Sequence, residues 1–572
     1  MISWGRSVGN GRSRKSSEML KVQSFFSHLP DSFYLRAPSV ISLIETKHTL
    51  HLVSTIRNQL RARAFSTISS RDLYLFNSKN GEKEKFTPTV PGNVSIYLCG
   101  VTPYDYSHVG HARTCVAMDV LFRYLKHKNY AVNYVRNFTD IDDKIICRAN
   151  LLGEDPLALS KRFSEEFLHD MSELQCLLPT YQPRVSDHIN QVISLILQIL
   201  RNGCAYVVEG NVYYSIDKFP NYGHLTGMKS EENISGIRVE LDKRKKNPKD
   251  FVLWKAAKVG EPSWDSPWGA GRPGWHIECS ALSSHYLSFS FDIHAGGMDL
   301  MVPHHENEIA QNWAACSESN ISYWMHIGTV TKNNRKMSKS DGNFITIRDV
   351  TKNYHPLALR HFFLRTHYRS TVDYSSSQVD TSSEAVFYIY QTLQDCQDII
   401  STIHGDNRYE GVDMSFGAVE LTHSAQNCID KMHKEFHGKM ADDLHTSHVL
   451  NVVLPEALKF VNSILNKKKH DISMCQFFME IEKEIREVLF VLGLLSPFPY
   501  SQVLQELKHK ALVRAGLVEE DILRFIEERA LARKHKDYLR SDRIRDELVR
   551  KGITLMDVGN GTIWRPCLPS QH

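Results

Sequence analysis

The chain's 572 residues allow roughly three or four domains, and 42% hydrophobic with 23% charged residues is ordinary for a globular protein. No uninterrupted apolar run approaches the ~20 residues that a membrane span needs, so no membrane association is expected. A formal net charge of +4 is too small at this length to argue for nucleic acid, so any such claim has to rest on local patches.

The first 70 residues stand apart. Arg6, Arg12, Arg14, Lys15, Lys21, Arg36, Lys47, Arg57, Arg61 and Arg63 recur among many serines, against only three acids, Glu18, Asp31 and Glu45. That is the composition of a cleaved transit peptide, and Arg61-Ala-Arg-Ala-Phe-Ser66 resembles the context of mitochondrial cleavage sites. It predicts delivery to the mitochondrial matrix, the chloroplast stroma or both. The alternative is a basic arm that touches RNA. The 11 cysteines are scattered without a C-x-x-C pair, which argues against a disulfide framework and for a reducing compartment.

From Val94 the pattern is α/β. Ser95–Cys99 reads as a short apolar strand, Gly100-Val-Thr-Pro103 as a turn, and Ala112 to Tyr124 as a helix opened by His108-Val-Gly-His111. Ala131–Val135 is a second strand. Strand, helix and strand in this order begin a parallel doubly wound sheet, whose ligands bind at the carboxyl ends of the strands. Gly110 lets an adenine or ribose lie against the backbone. The helix start favours phosphate, and His108 and His111 can donate to oxygens that gain charge during attack. Read alone, this is more readily two surface histidines on a turn.

Far downstream, Lys336-Met337-Ser338-Lys339-Ser340 sits in a polar loop, Thr331 to Asn343, after a strand around His326 to Val330. Two lysines beside small hydroxyl residues on such a loop can close over a triphosphate. Alone it would be a solvated basic loop. Together, in this order, the two motifs resemble the HIGH and KMSKS signatures of class I aminoacyl-tRNA synthetases.

Cys99 ends the first strand, Cys279 follows Gly274-Trp-His-Ile-Glu278, and His304 and Glu308 are four residues apart. In a helix beginning near Pro303 that pair shares one face. Two thiolates, an imidazole and a carboxylate are plausible zinc ligands. The other reading is two buried thiols and a helix salt bridge, with His305 and Glu308 as an alternative pair.

From about Tyr97 to Trp564 the chain resembles the cysteinyl-tRNA synthetases. The resemblance is carried by Tyr97-Leu-Cys-Gly100, Asn137-Phe-Thr-Asp-Ile-Asp-Asp-Lys144, Asn247-Pro-Lys-Asp-Phe-Val-Leu-Trp-Lys255, Trp264 to Ser280 and Phe291 to Leu300. It implies one zinc per chain on Cys99, Cys279, His304 and Glu308. It also implies a cysteine pocket at Cys99, Thr139, Trp275 and Asp299, and an ATP site at His108, Gly110, His111 and Lys336 to Ser340, with Mg²⁺ accompanying ATP. His276, His294 and His305 resemble further active-site histidines of the family. The expected partners are L-cysteine, ATP and tRNA-Cys, and a monomer is favoured.

Zinc distinguishes thiolate from hydroxyl where pocket shape alone separates such substrates only about 10–200-fold. The expected reaction forms cysteinyl-adenylate and pyrophosphate, then transfers cysteine to tRNA, with no editing domain required.

The expected layout is a transit peptide (1–70), a Rossmann-type catalytic domain in two halves (71–184 and 256–350) around an insertion (185–255), a stem-contact region (351–380), a helical bundle (381–500) and a small C-terminal anticodon-binding region (501–572). The insertion carries a helix over Ile189 to Leu200 and a hairpin within Val207–Ser215. Bundle helices are predicted over Ser382–His404, Phe416–Glu435, Ala441–Asn466 and Met474–Leu495, with His445 where the family has asparagine. In the basic tail from Arg529 to Asp546 and on to Trp564, the resemblance implies anticodon contacts through Arg533, Tyr538, Asp542 and Asp557, Tyr538 standing where tryptophan is expected. Two rivals remain open: a ligase joining cysteine to an amino sugar, which lacks such a tail, and a non-catalytic tRNA-binding relative.

Overall fold

The apolar run after Val94 is buried along most of its length, as a central parallel strand requires. In the computed structural model, which describes residues 72–223, 225, 242–337, 343–404, 421–466, 472–559 and 561–570, a short antiparallel ribbon precedes it, β1 (Tyr74–Asn77) with β2 (Glu82–Lys85). The proposed transit peptide lies outside the described residues. Strand β3 (Asn93–Val101) extends the expected Ser95–Cys99 at both ends, and α1 (Val109–His127) and β4 (Ala131–Phe138) follow. Helices α2 (Asp143–Leu152) and α3 (Pro156–Glu173) start where the side chains of Asp142 and Asp155 accept backbone N–H groups of their first turns.

Next come α4 (Ile189–Arg201), β5 (Ala205–Val208), β6 (Asn211–Tyr214), β7 (Phe251–Ala256) and β8 (Gly271–Pro273). The expected hairpin is β5–β6, turned by Glu209 and Gly210 at positive φ. It belongs to a four-stranded antiparallel sheet, β5-β6-β7-β8, that reaches beyond residue 255. Val192, Ile196 and Ile199 of α4 share one core with Val212, Tyr214 and Trp254.

Then α5 (Trp275–Leu287), β9 (Ser290–Gly297), α6 (Glu306–Ala315) and β10 (Asn320–Ile327) complete the main sheet, whose order is β10-β9-β3-β4 with every pair parallel. This is the Rossmann-type sheet expected from the sequence. A π turn, Met301–His305, precedes α6, so the helix expected from Pro303 begins at Glu306.

The segment read as the start of a polar loop is instead a hairpin, β11 (Val330–Lys332) with β12 (Arg335–Lys336). Asn333 and Asn334 at its tip both take positive φ, which asparagine tolerates. Beyond it lie α7 (Ile347–Thr351), α8 (Pro356–Leu364) and β13 (Val372–Asp373).

The remainder is helical: α9 (Ser376–His404), α10 (His423–Ala441), α11 (Leu454–Leu465), α12 (Ile472–Val491), α13 (Tyr500–Ala515), α14 (Glu519–Lys534) and α15 (Tyr538–Arg550). The hairpin β14 (Ile553–Val558) and β15 (Gly561–Pro566) closes it. One helical expectation needs correction. The run Ala441–Asn466 is broken because Asp443 and Leu444 have positive φ, and the Asp443 carboxylate accepts hydrogen bonds from Phe76 N and the Tyr368 hydroxyl. Tertiary contacts there override helix propensity. The basic tail forms two helices, α14 and α15, separated at Lys536, which is also at positive φ. Leu512, Ile522, Ile544, Leu548, Leu555 and Trp564 form a separate small core for this end. No helix among the described residues is long and apolar enough to cross a membrane.

A buried charge cluster holds α1 to the bundle. Asp119 accepts from Arg123 Nε at 2.7 Å, from Arg360 Nη2 and from Leu177 N at 2.7 Å. The guanidinium groups also cap the carbonyls of Leu174, Gln175, Phe490 and Leu492. Asp119→Ala would leave two buried cations without their anion, which costs about 3–5 kcal/mol. Urea denaturation should show that loss, whereas Asp119→Asn, which keeps an acceptor, should lose less.

Candidate active site and metal centre

The site is built where the parallel strands end. Cys99 lies near the end of β3, Thr139 directly follows β4, and His294 and His326 lie toward the ends of β9 and β10. Gly100 is required by close approach: a Cβ there would lie 1.6 Å from the Asn137 carbonyl oxygen. Asn137, to which the sequence reading gave no role, ties the centre together. Its Oδ1 accepts from Gly100 N at 2.8 Å and lies 3.8 Å from Cys279 Sγ, and its Nδ2 donates to Thr139 Oγ1 at 3.3 Å.

Cys99, Cys279, His304 and Glu308, from three separate segments, are all buried, with one donor atom each within 4.8 Å of the others. Glu308 Oε1 is 3.2 Å from both Cys99 Sγ and His304 Nε2. Ligands of one tetrahedral zinc, at ~2.0–2.3 Å from the ion, stand about 3.3–3.8 Å apart, so this set fits a single zinc. The other nitrogen of His304, Nδ1, is 3.0 Å from His276 Nδ1. Such an outer partner fixes which nitrogen of a ligating histidine faces the ion.

The electrostatics are those of a site in which protons take a cation's place. Burial works against a charged His304, yet the neighbouring Glu308 and Cys279 charges hold it up to about 10. Burial likewise opposes charge on Glu308, but His294 and His304 hold its carboxyl well below the usual range. The hydrogen bond from Cys99 draws the Cys279 thiol down to about 6, whereas burial raises Cys99. The His304–Glu308 pair is thus also the buried salt bridge considered as the alternative; a metal ion bound by this set would displace those protons.

A second quartet overlaps the first: Cys99, His294, His305 and Glu308 also bring donor atoms within 4.8 Å. His294 Nε2 is 3.3 Å from both Cys99 Sγ and Glu308 Oε2. His305 Nδ1 pairs with His326 Nε2 at 2.8 Å. Burial lowers His305 well below its ordinary value and takes His326 to about 3, so both rings are neutral. His294 Nδ1 and His305 Nε2 are buried without a hydrogen-bond partner among the described residues. His326 was not singled out from the sequence, because nothing in its spacing ties it to the Pro303–Glu308 segment.

Trp275, at the first position of α5, stacks on His304 with ring centroids 4.5 Å apart and remains partly exposed. Thr139 is buried beside Asn137, while Asp299 is exposed on the turn after β9, its Oδ1 2.6 Å from where a Cβ on Gly297 would stand.

The His108-Val-Gly-His111 turn opens α1. His108 is the N-cap, its Nδ1 accepting from Gly110 N at 3.0 Å. A Cβ on Gly110 would meet that ring at 2.7 Å, so the glycine makes room for the histidine cap. Because Nδ1 accepts, the neutral ring carries its proton on Nε2 and presents a donor there. His111 stacks on His108 at 3.7 Å. Backbone bonds join this turn to the chain beyond the lysine motif: Val109 N to Ile345 O at 3.1 Å and Ile347 N to Ser107 O at 2.9 Å. Phe344 packs edge-on against His108. Lys336 ends β12 and Met337 packs against the main core; Ser338, Lys339 and Ser340 lie outside the described residues.

In the C-terminal part Arg533 and Asp557 are paired at 2.6 Å, and Asp557 also binds Arg529 at 2.8 Å and Thr562 at 2.9 Å. Asp542 and Tyr538 are exposed on α15. Arg529 was missed because its charge is indistinguishable in sequence from its neighbours'.

Comparison with known proteins gives consistent results. The family of class I (C) tRNA synthetase catalytic domains matches residues 85–384. The chain is 56% identical over 503 residues to the chloroplastic/mitochondrial cysteine–tRNA ligase CPS1 homolog of Oryza sativa subsp. japonica, covering 87% of this chain and 86% of that one. It is 55% identical over 505 residues to the cytoplasmic cysteine–tRNA ligase 2 of Arabidopsis thaliana, covering 87% and 98%. Among solved structures, Mycobacterium tuberculosis methionyl-tRNA synthetase in complex with methionyl-adenylate shares the fold, with a TM-score of 0.52 and 16% identity over 75% of this chain and 94% of that one.

Proposed function

The chain belongs to the cysteine–tRNA ligase family of class I aminoacyl-tRNA synthetases, and we propose that it activates L-cysteine with ATP and transfers it to tRNA-Cys, selecting the substrate by its sulfur. The observation that carries the selective step is the buried Cys99–Cys279–His304–Glu308 cluster at the carboxyl end of β3. It stands beside the partly exposed Trp275.

Of the two overlapping quartets, the one with two thiols suits zinc better, and its His304 already has the outer partner a ligand needs. Zinc held there would supply a thiophilic centre that favours a thiolate over a serine hydroxyl. His294 and the neutral His305 then line the inner wall of the pocket, with Thr139 on the side of Asn137 and Trp275 over His304. Asp299, exposed on the turn after β9, is read as the partner of the substrate's ammonium group.

ATP, entering with Mg²⁺, is held at the start of α1. The helix N-terminus and the His108 Nε2 proton face anionic phosphate there. His111, stacked on His108, adds a second imidazole, and the lysine motif closes from beyond β12. In-line attack by the cysteine carboxylate on the α-phosphorus gives the adenylate and releases pyrophosphate. The tRNA ribose hydroxyl then attacks the activated carbonyl. Arg533, Asp542, Asp557 and Tyr538 form the proposed anticodon surface, with Arg529 holding Asp557 in place. The basic first 70 residues are read as an organellar import signal; sequencing the N-terminus of protein isolated from organelles tests this.

The assay is cysteine-dependent ATP–pyrophosphate exchange followed by charging of tRNA-Cys. Both should be observed with zinc-loaded enzyme. Exchange without charging would favour a ligase acting on another acceptor, and loss of both would leave a tRNA-binding protein.

A further inference from the structure

A second cluster of metal-binding side chains lies away from the catalytic site, where α1 meets the bundle. His127 is in the last turn of α1, His437 is on α10 and Glu487 is on α12. One ligand atom from each lies within 4.8 Å of the other two. His127 Nε2 and His437 Nε2 stand 3.5 and 3.6 Å from the same oxygen, Glu487 Oε1. Those separations exceed an ordinary N–H···O bond of ~2.7–3.2 Å. They are close to the ~3.3 Å spacing of nitrogen and oxygen ligands on one tetrahedral ion.

Two further features favour a cation. The site is at the carboxyl end of α1, where the helix dipole attracts positive charge. All three side chains are roughly a quarter exposed, so an ion can enter. The opposing features are Lys128 beside His127 and a competing pair close by, His433 Nδ1 with Glu484 Oε2 at 3.1 Å.

We propose that His127, His437 and Glu487 form a second site for a borderline transition-metal dication of the zinc type, completed by water, which pins the helix bearing the ATP-binding turn to α10 and α12. Two imidazoles and one carboxylate suit zinc, cobalt or nickel and do not suit the oxygen-seeking magnesium or calcium ions.

The experiment uses full-length enzyme already loaded with one zinc, titrated with Co²⁺. A second equivalent should bind with ligand-field absorbance but no thiolate charge-transfer band, and should raise Tm. Glu487→Gln and His437→Ala should each weaken this binding about 10–100-fold or more, since loss of even an outer partner of a metal ligand has an effect of that size. The first zinc and cysteine activation should remain. Glu487→Gln keeps the local shape, so it carries the test if circular dichroism shows His437→Ala misfolded. Absence of a second equivalent, its appearance with thiolate absorbance, or its persistence in the His127→Ala/His437→Ala double variant would overturn the proposal.

Discussion

Cys279→Ala is expected to lose the bound zinc and to raise the KM for cysteine by about 100-fold or more, with the KM for ATP within about threefold of wild type. Removing one ligand disrupts a metal site more than removing an outer partner, and that alone costs about 10–100-fold in affinity. The selectivity consequence is separable from the binding one. Without zinc, discrimination of cysteine from serine rests on pocket shape and should fall to about 10–200-fold. Metal analysis, pyrophosphate exchange at varied cysteine and ATP, and exchange with serine read the three effects. Equal rises in both KM values would refute the selector role. The overlapping quartet makes the test sharper, because His294 and Cys279 belong to different sets. If His294→Ala loses the ion while Cys279→Ala retains it, the ion sits with Cys99, His294, His305 and Glu308.

The parallel sheet was legible because its strands are short apolar runs followed by helical periodicity, as in Ser95–Cys99 and Ala112–Tyr124. The metal cluster was legible only through resemblance. Cys99, Cys279 and the His304–Glu308 pair are far apart in sequence, and only the fold brings them within 4.8 Å. The same applies to His127, His437 and Glu487, which no spacing rule connects.

The breaks were illegible for a different reason. Ala441–Asn466 carries a continuous helical pattern, and it is the pull of Asp443 toward Phe76 and Tyr368 that stops the helix there. Asn137 shows the limit from the other side. Its motif was quoted, yet its role depends on three contacts with Gly100, Thr139 and Cys279 that exist only in three dimensions.

His108 performs two tasks that one substitution can divide. Its Nδ1 caps α1 by accepting from Gly110 N, and its Nε2 proton faces the site where phosphate is proposed to bind. Asparagine is a favoured N-cap whose Oδ1 can take over the first task, but it is too short for the second. His108→Asn should therefore fold with stability close to wild type while kcat for pyrophosphate exchange falls about 10²–10³-fold, the usual effect of losing one donor to developing charge. His108→Ala loses both functions and should add a stability cost of about 1 kcal/mol. Thermal melts and exchange rates on the two variants separate the roles. Wild-type kcat in His108→Asn would reduce His108 to a helix cap and move the phosphate-binding role to His111 and the lysine motif.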